Sequence, residues 1–245
     1  MHRFYVKNFN GTGNTVDITG GDVNHIKNVL RLKNGDEIIV GDGSGNDYTC
    51  RIESMEKDRV TAVICDVTRN AAELETKIIL FQGMPKSDKL ELIIQKAVEL
   101  GVYEIVPVIT KRTIVKIEKN KEEKKLERYN AIAASAAKQS GRGVIPRIMP
   151  FMSFPEALSY AKGFDMSIIP YENAKDMEYA RSVIQDIKGK KTLGIFIGPE
   201  GGFAEEEVGD AVSMGAKCIS LGGRILRTET AGLAALSIIM FEIDG

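Results

Sequence analysis

The sequence has no tryptophan, only two histidines, His2 and His25, and three cysteines, Cys50, Cys65 and Cys218, with no Cys-x-x-Cys spacing. Such a chain has too few ligands for a structural zinc site and no basis for a disulfide framework, so no metal and a reduced, cytoplasmic setting are expected. Long apolar runs are missing too. The longest, near Leu233 to Ile243, is broken by Ser237 and Glu242 and falls short of the ~18 residues that would span a bilayer. The first residues, MHRFYVKNFNG, carry no apolar core of signal-peptide length. Neither secretion nor a membrane partner is expected.

What is present is ordinary for a folded protein: 43% hydrophobic and 27% charged residues in 245, enough chain for between one and two domains of ~150 residues. The net charge of −1 conceals a segregation. Residues 1–72 carry 9 Lys+Arg against 10 Asp+Glu, residues 73–150 carry 15 against 10, and residues 151–245 carry 9 against 14. Only the middle is basic. Part of it, KNKEEKKLER at 119–128, mixes both signs at helical spacing, which suits a solvated helix face as well as an RNA-contacting surface.

Along the chain the hydrophobic period changes once. Arg3 to Lys7, Glu37 to Gly41, Asp47 to Ile52 and Arg59 to Val67 read as short strands of a small β-barrel. One helix interrupts them, with Asp22 as N-cap and Ile26, Val29 and Leu30 on one face, before an Asn34-Gly35 turn. After a polar stretch at 70–75, strands at Ile78–Gln82, Glu104–Ile109, Met166–Pro170, Thr192–Ile197 and Cys218–Leu221 alternate with amphipathic helices. That alternation is the mark of a parallel α/β sheet. The expected division is 1–72 and 73–245.

Three strand-end loops stand out: Pro170-Tyr171-Glu172-Asn173, Gly198-Pro199-Glu200-Gly201-Gly202, and Gly222-Gly223-Arg224-Ile225-Leu226-Arg227-Thr228-Glu229-Thr230. In a parallel sheet all three open at the carboxyl edge, where ligands bind. Glycine lets backbone approach a ligand, and a helix beginning near Phe203 would offer free N–H groups. Each loop taken singly is also what a strand-to-helix turn requires. The Walker and Rossmann glycine spacings are absent, which disfavours a nucleoside triphosphate. An ion pair of Arg227 with Glu229 at a helix start capped by Thr228 would explain half of the third motif.

IGPEGGF at 197–203 together with LGGRILRTETA at 221–231 resembles the SPOUT methyltransferases, specifically the 16S ribosomal RNA uridine-N3 methyltransferase family. IQKAVELGV at 94–102, KQSGRGVIPRI at 138–148 and HIKNVLRLKNGDEIIVGDGSG at 25–45 extend the resemblance over nearly the whole chain. It implies a PUA-like RNA-binding barrel followed by an α/β domain whose C-terminal segment threads a trefoil knot. It also implies a homodimer, and S-adenosylmethionine bent into the knotted loops. Adenine would meet the backbone around Leu221, Gly222, Ile225 and Leu226, with Arg227, Thr228, Thr230 and Ala231 completing that loop. Ile197, Gly198, Pro199, Glu200, Gly201 and Gly202 would cover the ribose and methionine side, and Pro170, Tyr171 and Glu172 would line the rim.

Uridine N3 is protonated at neutral pH, so methylation calls for a base and for stabilisation of the charge developing on the flanking carbonyl oxygens. Glu229 is the candidate base, or the group that orients Arg227; Arg227 is the candidate stabiliser of uracil or of a phosphate. The 16S RNA of the small subunit would be met by Gln139, Ser140, Gly141, Arg142 and Arg147, read as a flexible basic loop, with Arg3 and Arg31 as N-terminal contacts. Ribose 2′-O-methylation is the nearest alternative activity, against which the RTET segment argues. A non-catalytic assembly factor would be expected to have a degraded cofactor loop. Asp42, Ser44, Asn46 and Glu53 imitate a calcium loop, but Asp47 stands where glycine is needed, so a β-hairpin is expected. His25 reads as packed or solvated rather than catalytic.

Overall fold

A computed structural model of the chain describes residues 1–6, 9, 13–86, 88–114, 119–174 and 176–244, in two compact units. The first comprises Met1–Glu73 and Ala137–Ile145. Its strands are β1 (His2–Tyr5), β2 (Thr15–Thr19), β3 (Glu37–Gly41), β4 (Asn46–Met55) and β5 (Arg59–Arg69), in the order β1-β3-β4-β5-β2. β1 runs parallel to β3 and the other pairs are antiparallel. Alternating residues such as Val16, Ile18, Ile38, Val40, Ile52 and Val60 point into one core. Between β2 and β3, helix α1 (Gly21–Asn24) runs into a π-helical turn, His25–Val29, and adds Val23 and Ile26 to that core.

The sequence reading missed β2, whose five residues lie between a glycine-rich stretch and Gly20. It also misplaced the helix. The N-cap is Gly20, not Asp22, whose carboxylate lies 3.4 Å from Lys138 Nζ. Val29 is 64% exposed rather than on the apolar face, while Leu30 packs against that core, because the wider π turn displaces Val29 from the 3.6-residue stripe. Asp42, Ser44, Asn46 and Tyr48 hydrogen-bond to one another at the β3–β4 hairpin. His25 is exposed, its ring edge against Phe4.

The second unit comprises Leu74–Ala136 and Pro146–Gly245. In chain order it contains β6 (Lys77–Gly83), α2 (Lys89–Glu99), β7 (Glu104–Ile109), α3 (Lys119–Ser140, its last turn in the first unit) and β8 (Arg147–Ile148). There follow β9 (Met152–Ser153), α4 (Phe154–Ala161), β10 (Met166–Pro170), α5 (Met177–Gln185), β11 (Thr192–Ile197), α6 (Glu205–Ser213), β12 (Lys217–Ile219) and α7 (Thr228–Asp244). The strands lie in the order β12-β10-β11-β6-β7-β8, with β9 also on β7, and every pair is parallel. The central strands are apolar on both faces, as in Ile78 to Phe81 and Leu193 to Ile197, since a parallel sheet is covered twice. Phe81 and Phe196 stack at 4.3 Å between ring centroids in its core. β10 pairs with both β11 and β12, so the carboxyl ends of these three strands are neighbours. β12 ends at Ile219 rather than Leu221, which frees Ser220 and Leu221 to enter the loop.

Candidate functional site

The three loops close on one cleft. Pro170, Tyr171 and Glu172 line it from β10; Ile197, Gly198, Pro199, Glu200 and Gly202 from β11; Leu221, Gly222, Ile225, Leu226, Thr228 and Ala231 from β12 and the start of α7. Phe203, Ser220 and Arg224 line it as well, though the sequence does not assign them to the cofactor. Gly201, Arg227, Glu229 and Thr230 lie outside that lining. Gly202 has φ of +66°, a left-handed backbone conformation that glycine adopts without strain, so the turn itself calls for glycine. Beneath the loop, a Cβ on Gly83 at the end of β6 would come within 2.6 Å of Pro199 N. Backbone rests directly on backbone there.

Distant residues hold the second loop from several sides. Arg112 Nη1 donates to the Gly201 carbonyl at 2.8 Å. Thr228 Oγ1 donates to the Gly198 carbonyl at 2.6 Å and accepts from Gln82 Nε2 at 2.8 Å. Thr228 is therefore the first residue of α7 rather than its N-cap, its hydroxyl turned toward the loop. At the start of α6, Ala204 N–H donates to Glu207 Oε2 at 2.8 Å, and the other oxygen of this buried carboxylate accepts from Lys111 N–H at 2.8 Å. Three glutamates fill its first turn, the favoured charge at a helix N-terminus.

The two catalytic candidates are set apart. Arg227 is exposed, and no hydrogen bond or ion pair of its side chain is found among the described residues, so the expected pairing with Glu229 is absent. Glu229 faces α2 instead. Its Oε2 lies 3.4 Å from Lys89 Nζ, too poorly aligned for a hydrogen bond, and this buried oxygen has no hydrogen-bond partner among the described residues. Lys89 also reaches Glu200 Oε1 at 3.2 Å, and Glu200 accepts from Lys86 N–H at 3.0 Å. Burial pushes the Glu200 carboxyl up, but its own N–H, the Lys86 N–H and Lys89 outweigh that and hold it below the usual carboxylate range.

Several RNA candidates are tied down. Arg142 is 2% exposed, not a free side chain on a flexible loop; its Nε and Nη2 donate to Glu73 at 2.9 and 2.8 Å. Arg3 pairs with Asp47, which raises its pKa further, and Asn70 Nδ2 donates to Asp47 at 2.9 Å and to the Gly141 carbonyl at 3.1 Å. Ser140 is half-buried and also engaged. Arg31, at φ +54°, and Gln139 are exposed. Arg147 is exposed but opens β8 at the opposite, amino edge of the parallel sheet, where it meets Glu104 at 3.1 Å. Burial and that same carboxylate push the nearby Tyr160 hydroxyl up to about 12.

A glycine-walled cleft with apolar Ile197, Leu221 and Leu226 and acidic Glu172 and Glu200 suits a flat ring carried beside a cationic centre. Among the described residues no group of three or more His, Cys, Asp or Glu could hold a metal ion, and no helix is long and apolar enough to cross a membrane. Residues 72–240 match the RNA methyltransferase domain family and residues 18–65 the RNA methyltransferase PUA domain family. The chain is 38% identical to the ribosomal RNA small subunit methyltransferase E of Bacillus subtilis, over 94% of this chain and 91% of that one. Its counterpart in Mesomycoplasma hyopneumoniae is 35% identical over 97% and 98%. A ribosomal RNA small subunit methyltransferase E from Neisseria gonorrhoeae, solved bound to S-adenosyl methionine, superposes with a TM-score of 0.82 at 36% identity, covering 97% and 95% of the two chains. An α/β domain of this topology, joined to a PUA-type unit and matched over nearly its full length, belongs to the ribosomal RNA small subunit methyltransferase E family.

Proposed function

We propose that the protein methylates N3 of one uridine in the 16S ribosomal RNA of the small subunit, using S-adenosylmethionine. The observation that carries this reading is the cleft itself: three loops, far apart in sequence, converge on a pocket of glycine backbone, apolar side chains and two carboxylates. Bound there, the donor supplies a methyl group on a positively charged sulfur. The walls at Ile197–Gly202 and Leu221–Leu226 would hold it, with Glu172 and Glu200 offsetting its charge. The main contribution of the protein is to place two molecules in line.

Arg227, exposed and unpaired among the described residues, would meet the uracil carbonyl oxygens or a flanking phosphate. Glu229 takes the N3 proton as the N3 lone pair bonds to the methyl carbon and the sulfur keeps the electrons of the broken bond. The target base has to leave its stack to reach the cleft. Residues 1–72 would serve as the PUA-like RNA-binding part and residues 73–245 as the methyltransferase, with Arg31 and Gln139 as exposed RNA contacts. The family resemblance supports a trefoil knot at the C-terminal loops, a cytoplasmic setting beside the ribosome, and a homodimer. For the dimer the structure adds an apolar groove between α5 and α7, lined by Met177, Ile184 and Ile238, beside Phe241 at 81% exposure. A Phe241→Asp variant that sediments like the parent chain would remove that support.

The test is to incubate the protein with labelled donor and small ribosomal subunits, digest the RNA and identify the modified nucleoside. N3-methyluridine is expected. A ribose-methylated nucleoside, or none, overturns the reading.

A further inference from the structure

Lys89 opens α2, and the first turn of a helix is the wrong end for an ammonium group, because the unpaired N–H groups there favour negative charge. Its surroundings reverse that preference. Nζ lies 3.2 Å from Glu200 Oε1 on the loop that walls the cleft and 3.4 Å from Glu229 Oε2 in the first turn of α7. The three side chains are only 17 to 30% exposed, so the attraction is less screened than at an open surface.

The two acids differ in what else secures them. Glu200 also takes the Lys86 N–H, at 3.0 and 3.3 Å to its two oxygens. Glu229 Oε2 is buried with no hydrogen bond among the described residues, so the lysine is the charge that meets it. Without that charge, two carboxylates would share one partly closed space, and the less anchored Glu229 would be the one to move.

We propose that Lys89 is a positioning residue for methyl transfer: bridging Glu200 and Glu229, it fixes where the Glu229 carboxylate sits relative to the cofactor loop. This rests on the reading of Glu229 as the base. Lys89 lies outside the cleft lining and acts through the two acids. The link couples the position of the loop to that of the base, because either acid drawn out of position takes the lysine from the other.

The experiment compares Lys89→Met, Lys89→Arg, Glu229→Gln and the Lys89→Met/Glu229→Gln double variant in the full chain. Turnover is measured on small ribosomal subunits at saturating S-adenosylmethionine, and donor affinity by calorimetry. Lys89→Met should lower kcat about tenfold or more while donor Kd changes less than about threefold, because the Lys86 N–H still anchors Glu200. Lys89→Arg should recover most of the loss. The double variant should be no slower than Glu229→Gln alone, as expected of residues acting as a unit. A loss confined to donor affinity, or additive losses in the double variant, overturns the role of the lysine and leaves the base reading standing. Full turnover by Glu229→Gln sinks the base reading and this inference with it.

Discussion

Glu73 in the first unit and Glu229 in the second are both sheltered acids facing a cation, yet they are built to opposite ends. Glu73 accepts four hydrogen bonds, two from Arg142 and one each from the Gly143 and Val144 N–H groups, and the side chains of the pair are 8% and 3% exposed. Glu229 meets Lys89 at 3.4 Å and leaves a buried oxygen without a hydrogen bond. A carboxylate offers about four acceptor sites; both Glu73 oxygens are engaged and enclosed, whereas one Glu229 oxygen accepts no hydrogen bond among the described residues. Satisfied charges hold a fold together; a buried deficit marks a place where something else is meant to bind or react.

Removing an acid from each cluster tests this contrast most severely. Glu73→Ala removes the carboxylate that the buried Arg142 donates to and strips two loop N–H groups of their acceptor, and should cost about 3–5 kcal/mol of unfolding free energy in urea. Glu229→Gln should cost under about 1 kcal/mol while lowering turnover about a hundredfold. Equal losses of stability would break the comparison. A smaller effect is expected at Thr228, whose hydroxyl links Gln82 to the Gly198 carbonyl. Thr228→Val should lose about 1–3 kcal/mol and weaken S-adenosylmethionine binding in calorimetry; unaltered affinity would mean that the loop keeps its shape unaided. The smallest effect belongs to Glu200. Its carboxyl is held below the usual value, so its contribution is complete above the unfolded value near 4.5 and disappears as pH falls through the lower folded value. Glu200→Gln should therefore melt lower than the parent at pH 7 and converge with it in acid. A gap that persists at low pH would assign the effect to packing.

Much of the fold could be read from residue order. The alternation of apolar runs and amphipathic stretches after Lys77 is local, and a strand buried on both faces announces itself, as Thr192–Ile197 does. β2 was not legible, because five residues of alternation are too short to stand out. Nor was the π turn at His25–Val29, since one extra residue per turn leaves no compositional trace and shows only in the outward swing of Val29. The cleft was legible for a chemical reason: glycines clustered at strand ends permit turns such as that at Gly202, with φ of +66°, that other residues rarely adopt; the close approach of Gly83 to Pro199 beneath the loop was not legible, because Gly83 stands alone in the sequence. Phe203, Ser220 and Arg224 escaped because nothing in a single phenylalanine, serine or arginine tells which way it points.

Sequence alone determined the α/β alternation, the three glycine-bearing loops and the family, since each is written in contiguous residues. Tertiary structure alone decided which charges are sealed and which remain available. Arg142 looked like a free arginine on a basic loop until it met a carboxylate 69 positions earlier, and nothing in the order of residues marks Lys89, which only the fold brings to two acids far along the chain. Electrostatic energy depends on separation in space and on the water excluded between the charges, and neither quantity is encoded by distance along the chain.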